Sequence, residues 1–338
     1  MTPPDPLDRN IVISEEERRR GILSAENKKL GAMLLHCRGY VVLHGAVPEA
    51  LVTTMKSTFD GIYADCMASA TGARAVVTAG KATKTVFWER AARIRIFPQL
   101  SNPFDSPHVL ANPFAAPILE ELLDNRFYCK SVSSDTCVKG SVYQAPHRDL
   151  DFYDGADPFG CVVNIPLMSC GLHNGPIEVW PSGSHLWHKK LFFKFGLPPN
   201  QQDGDNPPVE AFMKHVPSKL VALQPGDLMI RDPGMWHRGT PNTTDEPRTM
   251  LTISYFRRSY FYNYGDPYYN LDREVFNALD PSVRRAFDYC FDRSSSLYWK
   301  LQGQRAFTAV EQQRILGAPV RYGVRMAERL REVMLRGD

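Results

Sequence analysis

The spacing of apolar and polar positions predicts helices in the first part of the chain. Ser14 followed by Glu17 is a capping-box pattern that opens a helix. Apolar residues then recur at near-helical spacing until Gly39, a residue type that commonly follows the end of a helix. Residues 40–43 form an apolar run that predicts a short strand, and Pro48 predicts the start of the next helix.

The pattern between this helix and residue 127 is mixed. Residues 72–84 are small, polar and aperiodic, and we interpret them as a mobile loop. Arg93 and Arg95 alternate with isoleucines, as in a half-buried strand. We expect both arginines to lie at the surface, and the alternative is that one of them binds an anionic substrate. Residues 113–123 predict a further helix.

Short β-rich runs separated by turn residues dominate from residue 128 to residue 258. The predicted strands include residues 161–167, 177–180, 228–230 and 249–256. Strands of this length with turn signals between them favour a sandwich or a closed jelly roll. The polar, proline-containing segment 189–217 is interpreted as an insertion between strands.

We therefore predict one domain over residues 1–338, mainly β with flanking helices (α+β) around a jelly-roll core. Within it, residues 1–127 are expected to be largely helical, residues 128–258 to form the jelly-roll core, and residues 259–338 to form a helical extension. The last predicted helix covers residues 324–335. An aromatic-rich run from Tyr255 to Tyr269 is expected to pack in the core or to line a substrate pocket.

Composition excludes several classes of function. Lysine and arginine number 40 against 37 acidic residues, so charge predicts neither nucleic acid nor an anionic membrane as a partner. The seven cysteines show no CxxC spacing, which argues against a zinc knuckle and a disulfide framework. The absence of a signal peptide and of a long apolar stretch leads us to expect a cytoplasmic protein without a membrane partner. The oligomeric state stays open.

One group of residues predicts a metal site. His147 and Asp149 are two apart, so they project from the same side of a strand. His237 arrives on a later strand and completes two imidazoles and one carboxylate, the set that holds non-haem Fe(II) and leaves positions open. Arg248 follows eleven residues later and offers a cationic fork suited to a carboxylate.

This set resembles the phytanoyl-CoA dioxygenase family of Fe(II)/2-oxoglutarate oxygenases. The resemblance covers roughly residues 30–260. The segments that carry it are His147-x-Asp149, residues 174–185 (Asn-Gly-Pro-Ile-Glu-Val-Trp-Pro-Ser-Gly-Ser-His), residues 224–227 (Gln-Pro-Gly-Asp), residues 236–242 (Trp-His-Arg-Gly-x-x-Asn), Arg248, and residues 39–45.

The resemblance implies a double-stranded β-helix, cupin-like in architecture, with iron bound by His147, Asp149 and His237. 2-Oxoglutarate would chelate the iron while Arg248 binds its distal carboxylate, and O2 would take the remaining position. Decarboxylation of 2-oxoglutarate to succinate and CO2 would drive the oxidation, usually the hydroxylation, of an unactivated C–H bond in a small organic molecule. No catalytic residue beyond the metal ligands is expected.

Three further residues are candidates for contact with the co-substrate: Gln144, Asn164 and Thr240. Two competitors for the ligand set are weaker: Asp151 lies two residues after Asp149, and His185 is expected to be structural. The alternative functions are an oxygenase acting on an acyl-CoA or carrier-bound thioester, and a cupin-like metal-binding protein that does not turn over.

Overall fold

The computed structural model describes residues 10–69, 74–79, 83–90, 92–123, 127–150, 158–196, 207–258, 271 and 273–294. The strands are β1 (Ile11–Val12), β2 (Tyr40–His44), β3 (Arg74–Ala79), β4 (Thr83–Arg90), β5 (Arg93–Ile96), β6 (Phe127–Cys137), β7 (Gly160–Pro166), β8 (Ile177–Val179), β9 (Lys219–Val221), β10 (Leu228–Arg231), β11 (His237–Gly239) and β12 (Arg248–Arg257). The helices are α1 (Glu15–Arg20), α2 (Ala25–Arg38), α3 (Glu49–Ser69), α4 (Pro107–Leu110), α5 (Ala116–Leu123), α6 (Lys189–Lys194), α7 (Pro207–Met213), α8 (Arg273–Ala278) and α9 (Pro281–Ser294).

Two sheets form the core. The larger has the strand order β1-β2-β10-β7-β12-β6-β5-β4-β3, and the smaller has the order β11-β8-β9. From β6 onward the chain passes back and forth between the two sheets. After β6, in the larger sheet, the backbone at His147 pairs with β11 of the smaller sheet. The chain then returns to the larger sheet as β7 and enters the smaller sheet as β8 and β9. β10, β11 and β12 then continue the alternation. This winding is a jelly roll, so the predicted fold class is confirmed.

The two faces of the larger sheet belong to different apolar clusters. Alternate residues of β12 (Leu251, Ile253, Tyr255) are buried with side chains of the flanking helices, as period two requires. Met250, on the opposite face of β12, belongs to the cluster that fills the space between the sheets. The other members of that inner cluster are Tyr40, Val42, Cys170, Ile177, Val179, Val221, Leu223, Met229 and Met235.

The helix predicted from Ser14 is interrupted. The capping box is confirmed, since the Ser14 side chain accepts from the Glu17 backbone N–H and the Glu17 carboxylate accepts from the Ser14 backbone N–H. Gly21 ends α1 at φ +62°, and α2 then runs to the predicted stop at Gly39, where φ is +84°. A Cβ at Gly39 would lie 2.9 Å from Nδ1 of His185, so only glycine fits this tight entry into β2.

The prediction of a loop over residues 72–84 is wrong. Arg74–Ala79 and Thr83–Arg90 form an antiparallel hairpin that extends the larger sheet beyond β5, with Arg74 opposite Trp88 and Ala79 opposite Thr83. The β-branched residues of both segments favour strands, and a neighbouring strand was available to pair with them. The small residues of this segment alone did not indicate whether it would form a loop or strands.

The other predicted elements agree with the structure where it describes them. The strand at residues 40–43, the helix after Pro48, the helix ending at residue 123 and the helices after residue 272 are present. The insertion 189–217 contains α6 and α7. The predicted helix at 324–335 and the aromatic residues from 260 onward lie outside the described residues. Within the described part of the chain, no helix combines the length and apolar composition needed to cross a bilayer.

An ion pair that joins β2 to the turn before β10 predicts a pH dependence of stability. His44 donates through Nδ1 to Oδ1 of Asp227 at 2.9 Å, and this bond raises the pKa of His44 above its usual 6.5, against the opposing effect of burial. The pair therefore stabilises the native state below about pH 6.5, and the contribution is lost as pH rises through the folded-state pKa.

We expect His44→Gln to lower the free energy of unfolding by less than about 1 kcal/mol near pH 6, because the His44 side chain is partly exposed. The effect should be smaller near pH 8.5. Urea unfolding at both pH values measures it, with the exposed His215→Gln as control. An equal loss at both pH values would contradict the assignment.

Candidate metal site

The backbone places His147 and His237 directly opposite each other. The N–H of each residue donates to the carbonyl oxygen of the other at 2.9 Å, an isolated antiparallel bridge between β11 and the segment after Gln144. The two imidazole rings are 4.4 Å apart, centroid to centroid. Asp149 is fixed close by, because its N–H donates to the Pro233 carbonyl at 2.8 Å. Two histidines ninety residues apart in sequence thus become neighbours through main-chain pairing alone.

The three side chains converge on one point. Oδ1 of Asp149 lies 3.8 Å from Nε2 of His147 and 3.6 Å from Nε2 of His237. One atom from each of the three residues lies within 4.8 Å of the others. Two atoms that bind one ion at about 2.1 Å stand roughly 3 to 4 Å apart. The spacing therefore fits a single ion bound by two imidazoles and one carboxylate.

Both imidazoles are held in the form that can bind a metal. Nδ1 of His147 donates to the Ala145 carbonyl and Nδ1 of His237 donates to the Met235 carbonyl, each at 2.9 Å, because a carbonyl oxygen can only accept. Nε2 of each ring is then the atom with a free lone pair. Burial, with the neighbouring His237, lowers the pKa of His147 to about 3, so His147 is neutral near pH 7.

Arg231 is a residue of the candidate site that was not predicted from the sequence. It ends β10, is 5% exposed, and its Nη2 donates to Oδ2 of Asp149 at 2.6 Å. Burial raises the pKa of the Asp149 carboxyl, but Arg231 and His237 outweigh burial and hold that pKa well below its usual range. Asp149 is therefore ionised, with Oδ2 committed to Arg231 and Oδ1 facing the imidazoles. The available signal was a charged residue at an inward position of an apolar strand.

Arg248 offers two unused donors inside the jelly roll. Its side chain is completely buried, and Nη1 donates at 3.1 Å both to the carbonyl oxygen and to Oδ2 of Asp135. Nε and Nη2 have no hydrogen-bond partner among the residues that the structure describes. Buried guanidinium donors without an acceptor are costly. A bound carboxylate would satisfy both.

Arg93 is buried, so the expectation of a surface position is wrong for this residue, while Arg95 is exposed as expected. Arg93 and Arg248 both stand opposite Cys137 in the register of the sheet, one on each side, and so share the inner face. Nη2 of Arg93 donates to the Thr240 carbonyl at 2.6 Å. Its Nε and Nη1 lack a partner in the described part of the chain.

Comparison with known proteins agrees with this geometry. A family model described as phytanoyl-CoA dioxygenase (PhyH) matches residues 35–250. The chain belongs to the phytanoyl-CoA dioxygenase family. The matched residues include both histidines, Asp149, Arg231 and Arg248.

Two curated relatives are dioxygenases of fungi. "Dioxygenase cnsJ" of Penicillium expansum is 23% identical over 164 residues, which cover 46% of this chain and 44% of that protein. "Dioxygenase andF" of Emericella variicolor is 28% identical over 158 residues, covering 44% of this chain and 47% of that protein. The chain thus spans less than half the length of either relative.

Solved structures with a similar fold include bacterial proteins. EctD from S. alaskensis, crystallised with 2-oxoglutarate and 5-hydroxyectoine, is 17% identical with a TM-score of 0.49, over 70% of this chain and 77% of that one. AviO1 from Streptomyces viridochromogenes is 16% identical with a TM-score of 0.49, over 69% and 96% of the two chains.

The remaining candidates of the family site differ in what their side chains contact. Asn164 is buried, its Nδ2 donates to Thr252 at 3.0 Å, and its Oδ1 has no partner among the described residues. Gln144 accepts from the Gly239 N–H at 2.8 Å, and the Thr240 hydroxyl donates to the Pro176 carbonyl at 2.7 Å. Asn164 thus has an acceptor to offer, whereas the other two side chains already hold the backbone.

His185, one of the two competitors, does not join the ligand group of the described residues. The His185 ring donates through Nε2 to the His36 carbonyl at 3.0 Å, and it is absent from the one metal-binding group found in the described residues. Asp151 lies outside the described residues. The triad of His147, Asp149 and His237 is therefore the metal-ligand candidate of this site.

The contact between Asp135 and Arg248 gives a testable consequence for stability. Asp135→Asn keeps the shape of the side chain but leaves a buried guanidinium without its counter-charge. We expect the free energy of unfolding to fall by about 2 kcal/mol, less than for a fully buried pair because the Asp135 side chain is 33% exposed. The measurement is urea unfolding followed by circular dichroism.

The matched control is Asp60→Asn, which breaks an exposed pair with Lys56 of 2.8 Å. That change should cost less than about 0.5 kcal/mol. Equal losses in the two variants would mean that Asp135 does not compensate the charge of Arg248.

Proposed function

We propose that this chain is an Fe(II)/2-oxoglutarate-dependent oxygenase that oxidises an unactivated C–H bond of a small organic molecule. The observation that carries the proposal is the presence of two complementary features in one interior. A triad of two imidazoles and one ionised carboxylate lies between the sheets, and the fully buried Arg248 there has two donors without a partner among the described residues. Membership of the phytanoyl-CoA dioxygenase family and the names of the fungal relatives support it.

The donor set fits iron. Nε2 of His147, Nε2 of His237 and Oδ1 of Asp149 would hold Fe(II), since two histidines and one carboxylate leave the further positions of a six-coordinate ion open. The chemistry that iron and its co-substrate supply when bound is decarboxylation of 2-oxoglutarate to succinate and CO2 with O2, coupled to oxidation of the substrate. The chain's own part is to hold the three ligand atoms in place and to keep Asp149 ionised.

Arg248 and Arg93 fit the dianionic co-substrate. Their side chains share the inner face of the larger sheet on either side of Cys137, and each has an unpartnered Nε and one further unpartnered nitrogen among the described residues. We infer that Arg248 binds the distal carboxylate of 2-oxoglutarate and that Arg93 adds a second cation beside it. Oδ1 of Asn164 is an acceptor and suits a hydroxyl or N–H of a ligand better than a carboxylate.

Apolar side chains pack on the inner face of the larger sheet beside Arg248. The cluster that includes Val42, Met229 and Met250 lies between the two sheets, on the same face of the larger sheet as Arg248. A low-dielectric surrounding strengthens the attraction between the arginines and a carboxylate. It also limits access of water to a reactive site.

The first experiment is anaerobic titration of the metal-free protein with Fe(II), then with 2-oxoglutarate, followed by succinate formation after O2 is added. Asp149→Ala should lose at least roughly 100-fold in Fe(II) affinity, because one of three ligands is removed. Arg248→Gln should keep Fe(II) affinity but lose roughly 10- to 100-fold in 2-oxoglutarate affinity, as expected for lost charge-assisted hydrogen bonds. The control is Arg95→Gln, an exposed arginine of β5.

The two titrations separate the possible outcomes. If the wild-type protein binds neither Fe(II) nor 2-oxoglutarate, the proposal is wrong. Binding of the metal without 2-oxoglutarate, and no succinate with any substrate offered, would favour a metal-binding protein that does not turn over. Loss of Fe(II) affinity in Arg248→Gln would show that Arg248 supports the metal site and not the co-substrate.

Gly239→Ala tests the part assigned to Arg93. A Cβ at Gly239 would lie 2.5 Å from Cζ and Nη1 of Arg93 and 2.7 Å from Oε1 of Gln144, so the guanidinium must move. We expect 2-oxoglutarate affinity to fall roughly tenfold, with Fe(II) affinity unchanged. Calorimetry measures both, and Gly171→Ala, where a Cβ meets open space, is the control. Unchanged 2-oxoglutarate affinity would mean that Arg93 does not contribute to binding of the co-substrate.

A further inference from the structure

We propose that Arg231 is a positioning residue that restricts Asp149 to one ligand oxygen and so keeps a coordination position open for the co-substrate and O2. The inference rests on the proposed function and deepens it. It starts from one contact, the 2.6 Å hydrogen bond from Nη2 of Arg231 to Oδ2 of Asp149, between a side chain that is 5% exposed and a candidate metal ligand.

The backbone fixes Arg231 before any metal binds. Arg231 is the last residue of β10 and stands opposite Tyr40 of β2 on one side and Val162 of β7 on the other. The next residue is held as well, because the N–H of Asp232 donates to the Gly39 carbonyl at 2.8 Å. The guanidinium is therefore presented to Asp149 from a strand that is paired on both edges, and Asp149 is itself held by its N–H bond to Pro233.

A count of coordination positions shows why one oxygen matters. If a six-coordinate Fe(II) bound here, His147, Asp149 and His237 would take three positions and would leave three for 2-oxoglutarate and O2. A carboxylate that bound through both oxygens would take a fourth position, and co-substrate and O2 could no longer bind together. Carboxylates readily bind in either mode. A short charge-assisted hydrogen bond to Oδ2 prevents the two-oxygen mode, since chelation would leave a buried arginine without its partner.

The charge of Arg231 distinguishes this role from ordinary support of a ligand. Outer partners of metal ligands are commonly carboxylates or carbonyls, which strengthen metal binding, so their removal weakens it. Arg231 is a cation close to the place of a divalent ion, and like charges repel. Its removal should therefore leave metal affinity unchanged or raise it, while the freed Oδ2 closes the position that 2-oxoglutarate needs.

The test compares three variants in the chain of residues 1–338. Arg231→Met removes both charge and hydrogen bond, Arg231→Gln removes the charge and keeps a donor, and Arg231→Lys keeps the charge with a single donor. Arg38→Met is the matched control. It removes another buried arginine, whose hydrogen bonds among the described residues include those to the Tyr40 carbonyl at 2.7 Å and to Oδ1 of Asn10 at 2.8 Å. Thermal unfolding of all four variants without metal measures the general cost of losing a buried arginine.

The measured quantities are Co(II) affinity, the visible absorption spectrum of bound Co(II), and the affinity of the Co(II) protein for 2-oxoglutarate. Arg231→Met is expected to bind Co(II) at least as tightly as wild type, with a changed spectrum, and to lose roughly 10- to 100-fold in 2-oxoglutarate affinity. Arg231→Lys should recover most of that loss. Arg38→Met should change neither affinity.

Other results would overturn the proposal. Parallel loss of Co(II) and 2-oxoglutarate affinity in Arg231→Met, with an unchanged spectrum in the metal-loaded protein, would mean that Arg231 only supports the fold of the site. Unchanged 2-oxoglutarate affinity would mean that Asp149 keeps one free oxygen without help. If the wild-type protein itself failed to bind Co(II) and 2-oxoglutarate, the proposed function would be wrong. The wild-type titration therefore distinguishes failure of the proposed function from failure of the inference about Arg231.

Discussion

The pair of backbone hydrogen bonds between His147 and His237 is the constraint on which the site depends. These bonds tie the segment that carries the H-x-D sequence to the smaller sheet, and they set the distance between two imidazoles that no local sequence signal relates. Hydrogen bonds from Nδ1 of each ring to a backbone carbonyl then orient the imidazoles, and the bond from the Asp149 N–H to the Pro233 carbonyl places the third side chain beside them. The ligand geometry is therefore a property of strand pairing, which is cooperative with the whole fold.

The charges around this point are unbalanced in a way that suits the proposed ligands. Three buried arginines (Arg93, Arg231, Arg248) face two carboxylates (Asp135, Asp149) within the jelly roll. These five side chains carry a net charge of one positive unit before a metal is bound, and a divalent ion would raise the excess to three. A dianionic co-substrate reduces it again to one. Such an interior favours an acid with two carboxylates over a neutral ligand.

Residues of the candidate site could be predicted from the sequence where their spacing or order along the chain is characteristic. His147 and Asp149 are recognisable because period two places them on one side of a strand, and His237 and Arg248 because they follow in a characteristic order. The jelly roll was predicted from the length of the apolar runs and the turns between them. Neighbouring residues alone carry the information for the H-x-D pair and for the strands, whereas the order of His237 and Arg248 is known from the family that the chain resembles.

Residues whose role depends on strand register were missed or misplaced. Arg231 lies at the end of a strand, and nothing in the sequence around it reveals that β10 is next to Asp149. Arg93 and Arg95 lie on the same face of β5 because they are two residues apart. That only Arg93 is buried is not evident from this pattern until β5 is paired with β6, which reaches Arg93 and Ile94 but not Arg95. The hairpin of β3 and β4 likewise depends on the edge of β5, with which β4 pairs. Electrostatic partners in a β-fold are set by the pairing of distant strands, so the three arginines of the interior come together only in the folded sheet, each from a strand whose local sequence gives no sign of the others.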